Sequence, residues 1–114
     1  MKIVDSFNVQ IWVGLRVGYS DVIYTLDDVR KIVDDWCNIT KQCVTITPTE
    51  YRYVNGFDDG VIIGFINYPR FPNTTDGILS RAMELGELLR VGLQQNRISI
   101  ASPTQTYMLG DEDN

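Results

Sequence analysis

The chain of 114 residues contains no histidine, which removes the usual zinc constellations and every catalytic triad built on an imidazole base. Its two cysteines, Cys37 and Cys43, stand too far apart for a CxxC redox motif and read as small buried thiols. Basic residues are few, ten against fifteen acidic, and none gather in a run. A net charge of −5 repels a nucleic-acid backbone, so no nucleic-acid partner is expected. No apolar stretch approaches the roughly 20 residues that cross a bilayer, and residues 1–6 lack the apolar centre of a signal peptide. The expectation is a soluble, cytoplasmic chain with no membrane partner. The loop carboxylates lack the spacing of a calcium loop, and neither a metal site nor a cofactor is expected.

What is present fits one modest core. With 44% hydrophobic residues, the chain reads as a single domain over residues 1–109 followed by an acidic tail, residues 110–114. Val9, Ile11, Val13, Leu15 and Val17 alternate with Gln10, Trp12, Gly14 and Arg16, the period of a strand with one buried face. Trp12 falls on the other face, where it is exposed or edge-packed, covered by a second subunit, or stacked on a ligand. After a break at residues 18–21, Thr25 and Asp28 form the signature of a capping box. Leu26, Val29, Ile32, Val33 and Trp36 then share one face of a helix, with Asp28, Arg30, Lys31, Asp34 and Asp35 mostly on the solvated side.

A second strand, 43–47, reaches Pro48, which ends it or places it at a sheet edge because proline cannot donate to the ladder. Asn55-Gly56 and Asp59-Gly60 are turn dipeptides, and the aromatic residues at 51, 53 and 57 predict a long hairpin in place of a floppy loop. Asp58 and Asp59, beside glycine, read as turn formers. Residues 61–68 are nearly all apolar, as in a central strand covered on both faces. Asn67-Tyr68-Pro69-Arg70-Phe71-Pro72 follows as a stiff linker able to form a pocket wall. An apolar stripe from Ile78 to Leu93 predicts a second helix, residues 97–101 a strand, and residues 105–109 a short last strand.

The order β-α-β-β-α-β predicts an α+β, ferredoxin-like sandwich with a short extra C-terminal strand. Glu50, where the second strand leaves the sheet, is either a salt-bridged hairpin residue, with Arg52 or Arg70, or a carboxylate held against a ligand. Gln94, Gln95 and Asn96 either cap the second helix or offer an amide to the edge of an adenine.

This arrangement resembles the PII-like and CutA-like proteins, trimers that bind ligands in clefts between subunits. Within that superfamily it is most similar to the phage-encoded S-adenosylmethionine lyases. The matching features are a glutamate near the end of strand 2 (Glu50), an apolar strand about ten residues later, an Ala/Leu-rich helix and a glutamine-containing link (Gln94, Gln95) into the next strand. The resemblance implies a homotrimer with inter-subunit sites that bind a small adenosyl ligand. It implies Glu50 as the active-site carboxylate, Tyr51, Tyr53 or Tyr68 as a substrate-binding tyrosine, and the link around Gln95 facing the adenine. The implied reaction cleaves S-adenosylmethionine to 5'-methylthioadenosine and homoserine lactone; the alternative is a non-catalytic trimer that senses or sequesters an adenine-containing molecule.

Overall fold

The computed structural model describes residues 1–111. The elements run β1 (Val9–Gly14), α1 (Leu26–Thr40), β2 (Thr45–Tyr53), β3 (Gly56–Phe65), α2 (Thr75–Gly92), β4 (Arg97–Ala101) and β5 (Thr106–Gly110). Among the described residues the strands form one antiparallel sheet in the order β2-β3-β1-β4-β5. This is the expected ferredoxin-like α+β arrangement, with β5 added outside β4.

Strand alternation decides which residues enter the core. Val9, Ile11, Val13, Val61, Ile63, Phe65, Ile98 and Ile100 are buried, and all lie on the sheet face that the helices cover. From α1 come Val29, Val33 and Trp36; from α2 come Ile78, Ala82, Leu85 and Leu89. The Trp36 ring meets Phe65 edge-on, with centroids 6.0 Å apart, and its indole N–H donates to Glu84 Oε1 at 2.8 Å. A fully apolar pocket would leave that donor unpaired at a cost of about 1–3 kcal/mol. Helix α2 lies close on β4 because residue 86 is glycine: a β-carbon there would come within 2.9 Å of Ile100 Cδ1.

The α1 cap forms as its sequence predicts. Thr25 accepts from the Asp28 N–H, and the Asp28 carboxylate accepts from the Thr25 N–H at 2.8 Å. Pro48 sits inside β2, which is tolerated because β2 is an edge strand. The β2–β3 hairpin has the expected length, closing at Val54 and Asn55 with Asn55 in the left-handed conformation, φ 62°.

Several readings of the sequence are corrected: Asp59-Gly60, read as a turn, lies inside β3 paired with Glu50 and Thr49, because the hairpin strands run to Asn55-Gly56, and three element ends move. Strand β1 stops at Gly14, because the chain folds back at Gly18 (φ 54°) and Val17 N–H donates to Val22 O at 2.9 Å. Strand β3 is covered on one face only, since both helices pack on the same side of the sheet; Ile62 and Gly64 face the helix-free side. It ends at Phe65, leaving Ile66 exposed. At the C-terminus Gly110 belongs to β5, paired with Arg97, Asp111 N–H donates to Asn96 O at 3.0 Å, and the remaining residues of the expected acidic tail, 112–114, lie outside the described residues.

Leu85 is fully buried between α2 and the rest of the core. Leu85→Ala is expected to lower unfolding free energy by about 2–5 kcal/mol in urea titration, through lost burial and the cavity left behind.

Candidate functional site

The helix-free face carries the even-numbered side chains of β1, Gln10 and Trp12, with Gly14, and Trp12 is flanked in register by Ile62 and Ser99. Beyond Gly14 the same alternation brings Arg16 to this face, and β3 brings Asp58 beside it. Arg16 Nε donates to Asp58 Oδ1 at 2.8 Å, and Arg16 Nη1 donates to the Ser20 carbonyl at 2.9 Å. Tyr53 O–H donates to the other carboxylate oxygen, Oδ2, at 3.0 Å. The Tyr51 ring lies over Gly60, where a β-carbon would collide with it.

Two clefts meet at Arg16. One, of about 550 Å³, runs between Tyr19, Tyr53, Gly56 and Asp58. The other, of about 280 Å³, runs from Tyr19 to Gln95 and Asn96. Gln95 spends both amide hydrogens on backbone carbonyls, Arg16 O at 3.0 Å and Leu93 O at 2.9 Å, which fixes its side chain across the end of β1. The face is therefore a hydrogen-bonded rim of tyrosines, one neutralised ion pair and one anchored amide.

The structure brings together Tyr51, Tyr53 and Gln95 of the residues expected at the site. Glu50 lies on the opposite face of the hairpin, where its Oε1 accepts from Arg52 Nη2 at 3.1 Å, and the Arg52 guanidinium stacks 4.6 Å from the Phe57 ring centroid. Gln94 is exposed with φ 52° and serves the turn that ends α2. Tyr68 stands past the far end of β3, roughly 30 Å from the hairpin turn at about 3.3 Å per residue. Asp58 and Arg16 are the pair that sequence reasoning missed. They are 42 residues apart, and only the Gly14–Gly60 register, not any local motif, makes them neighbours.

No family model matches the chain, and no curated protein matches it. Solved structures do. A phage SAM lyase in complex with S-methyl-5'-thioadenosine superposes with a TM-score of 0.78 at 19% identity, covering 96% of this chain and 92% of the other. A phage SAM lyase in the apo state gives 0.74 at 20%, covering 95% and 91%. The fold is similar to that of the phage SAM lyases. At these identities the likeness concerns the fold, and the side chains above are this chain's own.

The electrostatics of the cluster follow from its contacts. The Arg16 hydrogen bond, then that of Tyr53, holds the Asp58 carboxyl below its ordinary range. The same bond raises Arg16, and Asp58 raises the Tyr53 phenol, so both stay protonated. Arg16 and Asp58 are 32% and 29% exposed, so solvent screens part of their attraction. Among the described residues no group of three or more Cys, Asp or Glu side chains is placed to hold a metal ion.

A carboxyl lowered in the folded state contributes stability above its unfolded value that disappears as pH falls through the folded one. The gap in urea midpoint between wild type and Asp58→Asn should therefore be constant above about pH 5, and shrink progressively below about pH 4 as the carboxyl protonates. A gap that stayed constant down to acid unfolding would mean that the ion pair carries no folding free energy.

Proposed function

We propose that the chain is an S-adenosylmethionine lyase of the phage type. In this reading it acts as a homotrimer in the cytoplasm of a bacterial host, with the ligand held on the helix-free face at subunit boundaries. The fold likeness, over nearly the whole chain, to a lyase holding S-methyl-5'-thioadenosine carries the reading. The tyrosine-lined clefts at Arg16 supply a site of suitable size.

The chemistry suits a chain without histidine. An oxygen of the substrate's own carboxylate attacks its γ-carbon; the new C–O bond forms as the C–S bond breaks, and the electron pair discharges the sulfonium to a thioether. The products are 5'-methylthioadenosine and homoserine lactone, and no proton, water or metal takes part in that step. The protein's task is to hold the substrate bent, which is positioning and electrostatic stabilisation in place of acid–base catalysis. Tyr51 and Tyr53 offer ring faces to the adenosyl group and its cationic centre. Gln95 presents an amide whose hydrogens are spent, so it can recognise adenine only as an acceptor for the exocyclic amine.

Two carboxylates compete for the positive end of the substrate. Asp58 is on the helix-free face of its own subunit. Glu50, on the outer side of the hairpin, reaches a site only in a neighbouring copy, as a hairpin laid across a subunit boundary allows. A sequestering role without turnover remains the second reading, favoured by one observation: both carboxylates already sit on arginines.

Incubation with S-adenosylmethionine should release 5'-methylthioadenosine, read by chromatography, and light scattering should give the mass of a trimer. The carboxylate that bends the substrate should lose about 10²-fold in kcat on amidation, as Glu50→Gln or Asp58→Asn, with binding little changed. Tight binding without product would favour sequestration, and a monomer at micromolar concentration would remove the inter-subunit site.

A further inference from the structure

The stiff linker after β3 builds a separate cavity that the lyase reading leaves unused. It measures about 470 Å³, inside the range of roughly 300–1,000 Å³ common for small-ligand sites. Buried Phe65 and Ile78 line it, with Tyr68, Phe71, Lys41 and Arg70 around them. The linker is held in shape at both ends. The Asn67 side chain donates to the Asp5 carbonyl at 2.8 Å and accepts from the Asn73 N–H at 2.9 Å, while Phe71 N–H closes a turn onto Tyr68 O at 3.0 Å. Pro69 and Pro72 restrict the chain between these ties.

Charge distinguishes this cavity in an acidic protein. Arg16, Arg30, Arg52, Arg81 and Arg90 each hold a carboxylate within 4 Å. Lys41 and Arg70 have no carboxylate partner among the described residues, and no residue lining the cavity is acidic. Arg70 rests on an aromatic face, 5.3 Å from the Phe71 ring centroid. Lys41 is held in the left-handed conformation (φ 61°) at the C-cap of α1, where glycine or asparagine is usual and a lysine is strained. Two uncompensated cations and two aromatic rings thus border one preformed hollow.

We propose that this cavity binds a small dianion of the nucleoside monophosphate class, with its planar base on Tyr68 and Phe71 and its phosphate across Arg70 and Lys41. The guanidinium fork suits two phosphate oxygens and the ammonium adds a point charge. An aromatic platform accepts any base by stacking. Cys43, read from the sequence as a buried thiol, is exposed just past the C-cap of α1 and lines the same cavity, so an occupant covers its thiol.

That thiol is the reporter. In the full chain carrying Cys37→Ser, alkylation of Cys43 by iodoacetamide is timed with AMP, adenosine or inorganic phosphate. AMP at ten times its dissociation constant should slow the reaction about tenfold, because only the unoccupied fraction reacts. Adenosine and phosphate, each lacking half of the recognised group, should protect less. Arg70→Ala and Lys41→Gly should each weaken the protection. Lys41→Gly suits the left-handed backbone, so its melting temperature should match or exceed that of the parent, which separates lost charge from lost fold. Asp58→Asn should leave protection intact, so this result and the lyase assay fail independently. Unchanged alkylation at saturating millimolar AMP overturns the proposal. So does protection that survives both cavity variants, or protection abolished by Asp58→Asn.

Discussion

The register of β3 on β1 is the constraint on which both the core and the candidate site depend. With Gly14 opposite Gly60 and Val13 opposite Val61, the apolar residues of both strands fall under the helices and the even-numbered ones face away. A slip of β3 by one residue against β1 would carry Ile63 to the helix-free side and Ile62 under the helices, while β1 kept its own faces. The same pairing, continued past Gly14, sets Arg16 against Asp58. Asn55, by taking the left-handed turn position, fixes where β3 begins relative to β2 and so places Tyr53 on the same carboxylate. Core and site are two sides of one register, and neither can be re-aimed without the other.

That coupling explains how a site can be assembled from so few kinds of side chain. With no imidazole available, the cluster at Arg16 has no group that titrates near neutral pH: its carboxyl is held low and its phenol and guanidinium are held protonated. Such a platform is poor at moving protons and well suited to holding a shape. A reaction whose nucleophile and leaving group both belong to the substrate asks for that rigidity and little else. The anchored Gln95 is consistent with this logic, because its orientation is set by backbone carbonyls before any ligand arrives.

Periodicity made the sheet, the helices and the Thr25–Asp28 cap legible, because each is written in residues close in sequence. The long hairpin was legible for the same reason, through Asn55-Gly56 and the aromatic run. The site was legible only in part. Tyr51 and Tyr53 share the helix-free face of the hairpin and Gln95 reaches across the end of β1, but Glu50 is one residue from Tyr51 and therefore points to the other side of the ribbon. Asp58 looked like a turn residue because its partner, Arg16, comes from a strand 42 residues earlier. Single-sided covering of β3 was also hidden: an apolar run such as 61–66 reads the same whether its second face meets a helix or stays open.

The helix-free face bears on that last point. Trp12 and Ile62 are half-buried, and Met108 on β5 is 42% exposed, while Thr45, Thr47 and Ser99 intersperse hydroxyls among them. Apolar area left to water forgoes about 25 cal/mol per Å², and the hydroxyls give the uncovered face groups that water solvates. A surface of this mixed kind suits contact between subunits that fold first and associate afterwards. The proposed assembly would bury the tryptophan, close the open side of the clefts at Arg16 and bring a second hairpin to them. The cavity at Tyr68 lies at the other end of β3, built by a linker that ties itself to Asp5 and Asn73. Groups this far apart with no shared partners contribute to stability nearly additively, so an occupant at one end need not disturb the register that holds the other.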